Sequence, residues 1–119
     1  MVGDMTALPA ISVNLEQLPN NARGYAVLEV ISEADIQPLT APANIELIWV
    51  VNPHPGENSE QLVEQVRTLV WPEGKPNVWT ACEFSSMRAL RRYFREERQV
   101  DKADLYASSY WKLGSNEDQ

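Results

Sequence analysis

Two segments constrain the fold of this chain more than any other feature: residues 3–11 (GDMTALPAI) and residues 81–90 (ACEFSSMRAL). Each reads as a strand end, a tight polar turn and the start of a helix. In the first, Thr6 or Asp4 supplies a cap, and Pro9 falls in the first helical turn, where its missing N–H costs nothing. Two such turns in one parallel sheet make one crevice, and open α/β sheets bind ligands at the carboxyl ends of their strands. Only Met1 and Val2 precede the first turn, so the strand leading into it is almost missing.

The remaining pattern alternates. A helix is predicted over residues 7–18, ended by Pro19-Asn20-Asn21. Residues 23–31 (RGYAVLEVI) are an apolar run of the kind buried on both faces of a parallel sheet, and residues 45–51 (IELIWVV) are the next strand. Residues 32–35 make at most one helical turn, residues 37–44 a proline-bearing loop, and residues 52–56 (NPHPG) a rigid turn. Leu62, Val63, Val66, Leu69 and Val70 give helical spacing over about 59–69. Residues 78–81 form a strand. A helix capped by Ser85 or Ser86 runs to Arg98 with Met87, Leu90, Tyr93 and Phe94 inward, and residues 105–111 form the last strand. The expectation is a single α/β domain over 1–119. Its core is an open, Rossmann-like parallel sheet of four to five strands, with helices on both faces and a truncated first strand. The sheet either survives the truncation with four strands or borrows one by exchange with a neighbouring chain, which would make a strand-exchanged dimer.

Composition narrows the function classes. One cysteine excludes an internal disulfide and a multi-Cys zinc site. A free thiol without a leader-like start points to a cytoplasmic setting. No apolar run is long enough to span a membrane. The net charge of -7 opposes nucleic acid. It is uneven: residues 1–66 carry nine acids and one base (Arg23), whereas residues 67–119 carry nine bases and eight acids. Bases gathered late in the chain suit a small anionic ligand better than a polyanion.

Each candidate residue has a plain reading beside a functional one. The 3–9 turn, with Gly3, Asp4, Thr6, Ala7 and Pro9, is either an ordinary strand–helix turn or a seat for a pyrophosphate. It has one glycine where the dinucleotide fingerprint has three. Cys82 is either a small buried residue or a polarisable side chain beside a nicotinamide; Glu83 next to it opposes a lowered pKa. Glu29, on the second strand, would hold a ribose hydroxyl if it reached the sheet edge. No base occurs between Gly24 and Val66 to take a 2′-phosphate, which favours NADH, although bases of the later helix leave NADPH open. Arg91, Arg92 and Arg95 are solvated helix residues or an anion-binding rim. Tyr110, Trp111 and Lys112 are core plus surface, or a stacking platform with a cation beside it. His54 stands alone in a loop, so no metal site is expected.

With these residues assembled, the chain resembles the carboxy-terminal domain of the siderophore-interacting protein family, flavin-dependent ferric-siderophore reductases of the ferredoxin-reductase superfamily. The resemblance spans nearly the whole chain and rests on GDMTALPAI (3–11), ARGYAVLEV (22–30), QPL (37–39), VWTACEFSSMRALRRYFREER (78–98) and YASSYWKLG (106–114). It implies an amino-terminal barrel carrying FAD, which residues 1–119 lack, and an NAD(P)H-binding domain here. Hydride would pass from the nicotinamide to FAD, and single electrons to siderophore-bound Fe(III). It further implies that residues 3–9 bind pyrophosphate and that Cys82 and Met87 match the superfamily's Cys-Gly-Pro-x-x-Met turn, with Glu83 and Phe84 replacing Gly-Pro. Tyr110 and Trp111 would lie near the flavin, and Lys112, with Arg91, would attract the ferric siderophore. Without the barrel the chain would be inactive alone, a fragment of a longer protein. The rivals are a non-catalytic nucleotide-binding or interaction module acting with a separate flavoprotein, and a cysteine enzyme using Cys82.

Overall fold

The computed structural model describes residues 1–114. The five strands are β1 (Val2–Gly3), β2 (Arg23–Val30), β3 (Asn44–Val51), β4 (Val78–Glu83) and β5 (Leu105–Trp111), and the helices are α1 (Leu8–Gln17), α2 (Glu60–Arg67) and α3 (Phe84–Arg92). All strands run parallel in the order β3-β2-β1-β4-β5. The chain winds outward from β1 to β3, then crosses back through α2 to β4. The strand order therefore reverses between β1 and β4, and the loops leaving these two strands diverge there.

The sheet keeps five strands although its central one has two residues. Val2 lies opposite Val27 and Thr80, and Gly3 opposite Leu28 and Ala81, so β1 stitches the two halves together with minimal length. Alternation of side chains sends Val2 and Val27 to one face and Leu28 and Ala81 to the other. The first face packs under α2 and α3 through Leu62, Val66, Leu90 and Phe94, with Cys82 among them. The second packs under α1 through Leu8, Ile11 and Leu15. Burial on both faces is why β2 is apolar from Tyr25 to Val30 apart from the buried Glu29.

Gly3 is needed for this packing. A Cβ there would come within 2.6 Å of Ile11 Cδ1, 2.9 Å of Ala7 Cβ and 3.0 Å of the Ala81 carbonyl oxygen. The absent side chain lets α1 settle directly on the sheet. α1 ends at Gln17 because Leu18 turns extended ahead of Pro19.

Two boundaries differ from the sequence pattern. β4 runs on to Glu83, and α3 starts at Phe84 with Glu83 as its cap, so neither Ser85 nor Ser86 caps it. Glu83 has the extended backbone that a cap requires, and its carboxylate reaches Ser85 N. The helix also widens into a π turn at Tyr93–Glu97, which closes with Gln99 in the left-handed region at φ 55°. That widening buries both Tyr93 and Phe94, adjacent residues that a regular helix would turn apart.

Candidate functional site

The crevice at the β1/β4 reversal is built around two buried carboxylates. Asp4, leaving β1, is 3% exposed, and Glu83, leaving β4, is 2% exposed. Asp4 Oδ1 accepts from Thr6 N at 3.0 Å and from the Thr6 hydroxyl, capping the turn Met5–Ala7 that feeds α1. Its other oxygen, Oδ2, accepts from Glu83 N at 2.9 Å and from Trp111 Nε1 at 2.8 Å. Glu83 repeats the arrangement: Oε1 accepts from Ser85 N at 2.8 Å and Oε2 from Leu113 N at 3.2 Å. Each acid caps the helical turn that follows it, and together they hold the end of β5 and the residues just after it.

That segment crosses the crevice. A bulge at Cys82/Glu83 brings Trp111 opposite Glu83. The Trp111 indole donates to Asp4 at one end, and its far edge rests on the loop after β3. A Cβ on Gly56 would sit 3.2 Å from both Trp111 Cη2 and Leu113 Cβ. Gly56 has φ +89°, so this loop needs glycine on two counts. Lys112, exposed between them, places its ammonium 5.0 Å from the Phe84 ring centroid, beside the start of α3.

A third acid adds to the negative field. Glu29 is 4% exposed and accepts from Asn52 Nδ2 at 3.2 Å. Burial raises its pKa, Asn52 opposes that rise, and the charges of Asp4 and Glu83 add to it. Asn52 is fully buried and also builds its own turn, accepting from His54 N at 3.1 Å and donating to the Asn58 carbonyl at 3.3 Å. The Asn-Pro pair marks such a turn in sequence, but the Glu29 contact depends on β2 and β3 lying side by side.

The structure places the remaining candidates unevenly. Cys82 has no exposed surface, and burial, then Asp4 and Glu29, push its thiol far above the ordinary range. It is a protonated core side chain in this arrangement and does not line the crevice. Met87 packs against the same core. Pro9 and Thr6 are exposed at the crevice edge, and Ala7 is buried under α1. Tyr110 turns to the α1 face of the sheet, where its ring lies 6.4 Å from Trp79, which also stacks on Tyr106 at 5.4 Å. Arg91 is exposed on α3, seven residues beyond Phe84 and about 10 Å further by helical rise. The structure thus joins Asp4, Glu83 and Trp111, and keeps Cys82, Tyr110 and Arg91 apart from them.

A pyrophosphate does not fit the 3–9 turn in this arrangement. Thr6 N is already bound by Asp4 Oδ1 and Ala7 N by the Asp4 carbonyl oxygen. Among the described residues no cluster of His, Cys, Asp and Glu could hold a metal ion.

The profile of the family described as "Siderophore-interacting protein" matches residues 1–114. The chain belongs to that family. It is similar to the ferric vibriobactin reductase ViuB of Vibrio cholerae, with 34% identity over 99% of this chain and 44% of that protein. The ferric acinetobactin reductase of Acinetobacter baumannii is 26% identical over 96% of this chain and 40% of its own length. Among solved structures, the siderophore-interacting protein SipS of Aeromonas hydrophila superposes with a TM-score of 0.89 at 38% identity, covering 99% of this chain and 47% of that one. The chain therefore spans less than half the length of these relatives. Among the described residues no helix is long and apolar enough to cross a membrane.

Proposed function

We propose that this chain is the carboxy-terminal, electron-donor half of a ferric-siderophore reductase. In the whole protein a separate domain would hold FAD, NAD(P)H would supply the electrons, and siderophore-bound Fe(III) would receive them in the cytoplasm. The observation that carries this reading is the match of nearly the entire chain to under half of each of two ferric-siderophore reductases. The doubly wound sheet supports it, since its reversal point is where such sheets bind dinucleotides.

The residues of this chain would contribute in specific ways. Asp4 and Glu83 fix the ends of β1 and β4 against each other, and Trp111 closes the gap between them. A dinucleotide entering there would have to displace Trp111 or lie outside it, against Thr6, Ser85 and Lys112. Lys112 is an exposed cation at this edge and would attract an anionic partner, whether nucleotide or ferric siderophore.

A second reading has its own support. Both helix N-termini at the crevice are capped by this chain's own carboxylates, which favours an interaction module that packs on a separate flavoprotein without binding nucleotide. Calorimetric titration of the folded chain with NADH and NADPH, repeated with Lys112→Ala, decides between the two. Millimolar or tighter binding, weakened by the substitution, is expected on the first reading. No heat with either nucleotide would leave the second.

A further inference from the structure

The two edges of the sheet differ. At β5 the ladder is interrupted by the bulge at Cys82/Glu83, and the Ser109 hydroxyl turns back to donate to the Trp111 carbonyl oxygen at 3.1 Å. A bulge of this kind blunts an edge against further pairing. β3 has no such device. Its eight residues (NIELIWVV) keep an unbroken register with β2, hold neither proline nor glycine, and carry Glu46 as their one charge.

The backbone of β3 shows which groups are open. In a parallel pair, alternate residues turn both backbone groups toward the same neighbour. Val30 lies opposite Val51, and its carbonyl oxygen accepts from Asn52 N at 2.8 Å. Glu46, Ile48, Val50 and Asn52 therefore face β2, while Ile45, Leu47, Trp49 and Val51 face outward. Two of the outward groups are met within the chain. Ile45 N donates to the Pro42 carbonyl oxygen at 3.1 Å, and the Val51 carbonyl oxygen accepts from Gln61 Nε2 at 3.3 Å. The Ile45 carbonyl, both groups of Leu47, both groups of Trp49 and the Val51 N–H have no partner among the described residues.

We propose that β3 pairs antiparallel with β3 of a second copy of this chain, about a two-fold axis at Ile48, so that two five-stranded sheets become one. The open groups fix the register. Leu47 of one copy set opposite Trp49 of the other exchanges both backbone bonds with it, and the two-fold repeats the exchange. Ile45 then lies opposite Val51, and the Ile45 carbonyl takes the Val51 N–H. The second bond of that pair would need Ile45 N and the Val51 carbonyl, which are the two groups already met within each chain. Every open group is thus paired. Sliding two residues one way sets Leu47 opposite itself and leaves the Trp49 carbonyl against Ile45 N, which Pro42 holds. Sliding the other way leaves the Ile45 carbonyl against Pro53, which has no N–H. A slip of one residue turns the side chains to the wrong faces.

The side chains agree with this register. Leu47 and Trp49 belong to the α1 face, and Ile48 and Val50 to the α2/α3 face. Leu47 of each copy meets Trp49 of the other, and the two Ile48 side chains meet on the axis. Glu46 faces Val50 and not a second Glu46, so no like charges stand opposite each other. The contact is a strip about 26 Å long, narrower than a standard interface, and a net charge of -7 on each copy opposes it. The dimer is therefore weak, forms at high protein concentration and tightens as salt screens the charge. Each copy keeps all its own strands. The pairing is independent of the electron donor and holds under either functional reading.

An isotope-filtered NMR experiment on an equal mixture of labelled and unlabelled chain, at about 1 mM, tests the proposal. Within one strand Glu46 and Val50 are about 13 Å apart, whereas across the paired edge their Cα atoms come within about 4.5 Å. An intermolecular Hα–Hα contact between Glu46 and Val50 is expected. The Leu47, Trp49 and Val51 amides should exchange about tenfold more slowly once about nine-tenths of the chains are paired, since only the free tenth then exchanges, while Ile48, bonded to β2 in either state, stays relatively unchanged. Leu47→Pro removes one open N–H and leaves the β2 ladder whole, so it should abolish both signals in a chain that circular dichroism shows to be folded. A single monomeric species in sedimentation up to about 1 mM overturns the proposal. An intermolecular contact from Glu46 to Ile48 in place of Val50 overturns the register. Edge protection that appears only on adding an unrelated extended peptide gives β3 to a different partner and overturns the pairing of copies.

Discussion

Replacing Asp4 should loosen three elements at once, because its carboxylate touches the turn that feeds α1, the end of β4 and the end of β5 together. Asp4→Ala removes the acceptor for Thr6 N, the Thr6 hydroxyl, Glu83 N and Trp111 Nε1. Thr6 is exposed, so water replaces much of what it loses, and the missing cap costs about 1 kcal/mol. Glu83 N is buried, and a buried donor left unpaired costs roughly 1–3 kcal/mol. The half-buried Trp111 indole adds about 1 kcal/mol. Removing one negative charge near Glu29 returns part of this, since the Asp4 charge is one of the causes that raise the Glu29 pKa. The net expectation is a loss of about 2–4 kcal/mol. Asp4→Asn should cost about half as much. All four partners are donors, and a carboxamide has one accepting oxygen; facing Glu83 and Trp111, it leaves its NH₂ against Thr6, whose hydroxyl can turn to accept but whose amide cannot. Urea unfolding measures the stabilities, and the Trp111 indole N–H resonance reports whether that bond persists. It should shift to a solvent-exposed position in Asp4→Ala and stay near its place in Asp4→Asn. A cost below about 1 kcal/mol for alanine, or equal costs for the two variants, would refute the carboxylate's role as the tie.

Gly3→Ala should destabilise by about 1–3 kcal/mol through overpacking, and Ile11→Val in the same chain should recover part of that by removing the Cδ1 atom 2.6 Å from the new methyl; no rescue in urea unfolding would mean that the Ala81 carbonyl, not Ile11, sets the limit. Burial holds the Met1 amine at about 6, against 8.0 when unfolded. The unfolded chain then binds more protons between these values, so stability should rise from pH 6 to pH 8 by about 2 kcal/mol. Amino-terminal acetylation should flatten that rise, and a slope that survives acetylation would assign it to another group. Cys82, buried and held protonated, should react with iodoacetamide at pH 8 at least ~10³-fold more slowly than the unfolded chain, in step with global unfolding; labelling at the rate of a free thiol would contradict its place in the core.

The alternation of apolar runs with amphipathic stretches determined the fold class by itself. The 23–31 run can be buried on both faces only in a parallel sheet covered by helices, and periodicity is a local property that a sequence displays directly. The capping turn at residues 4–9 was legible for the same reason. The tertiary structure decided what those residues do. The Asp4 carboxylate bonds partners 79 and 107 positions away, and Glu29 bonds Asn52 only because β2 and β3 are neighbours. Gly3 looked like a residue that admits a ligand, yet the nearest atoms to its absent side chain belong to α1 and to β4. Cys82 and Tyr110 looked like members of one site and lie on opposite faces of the sheet. Hydrogen bonds and steric contacts are short-ranged and directional, so they depend on which loops meet at the β1/β4 reversal.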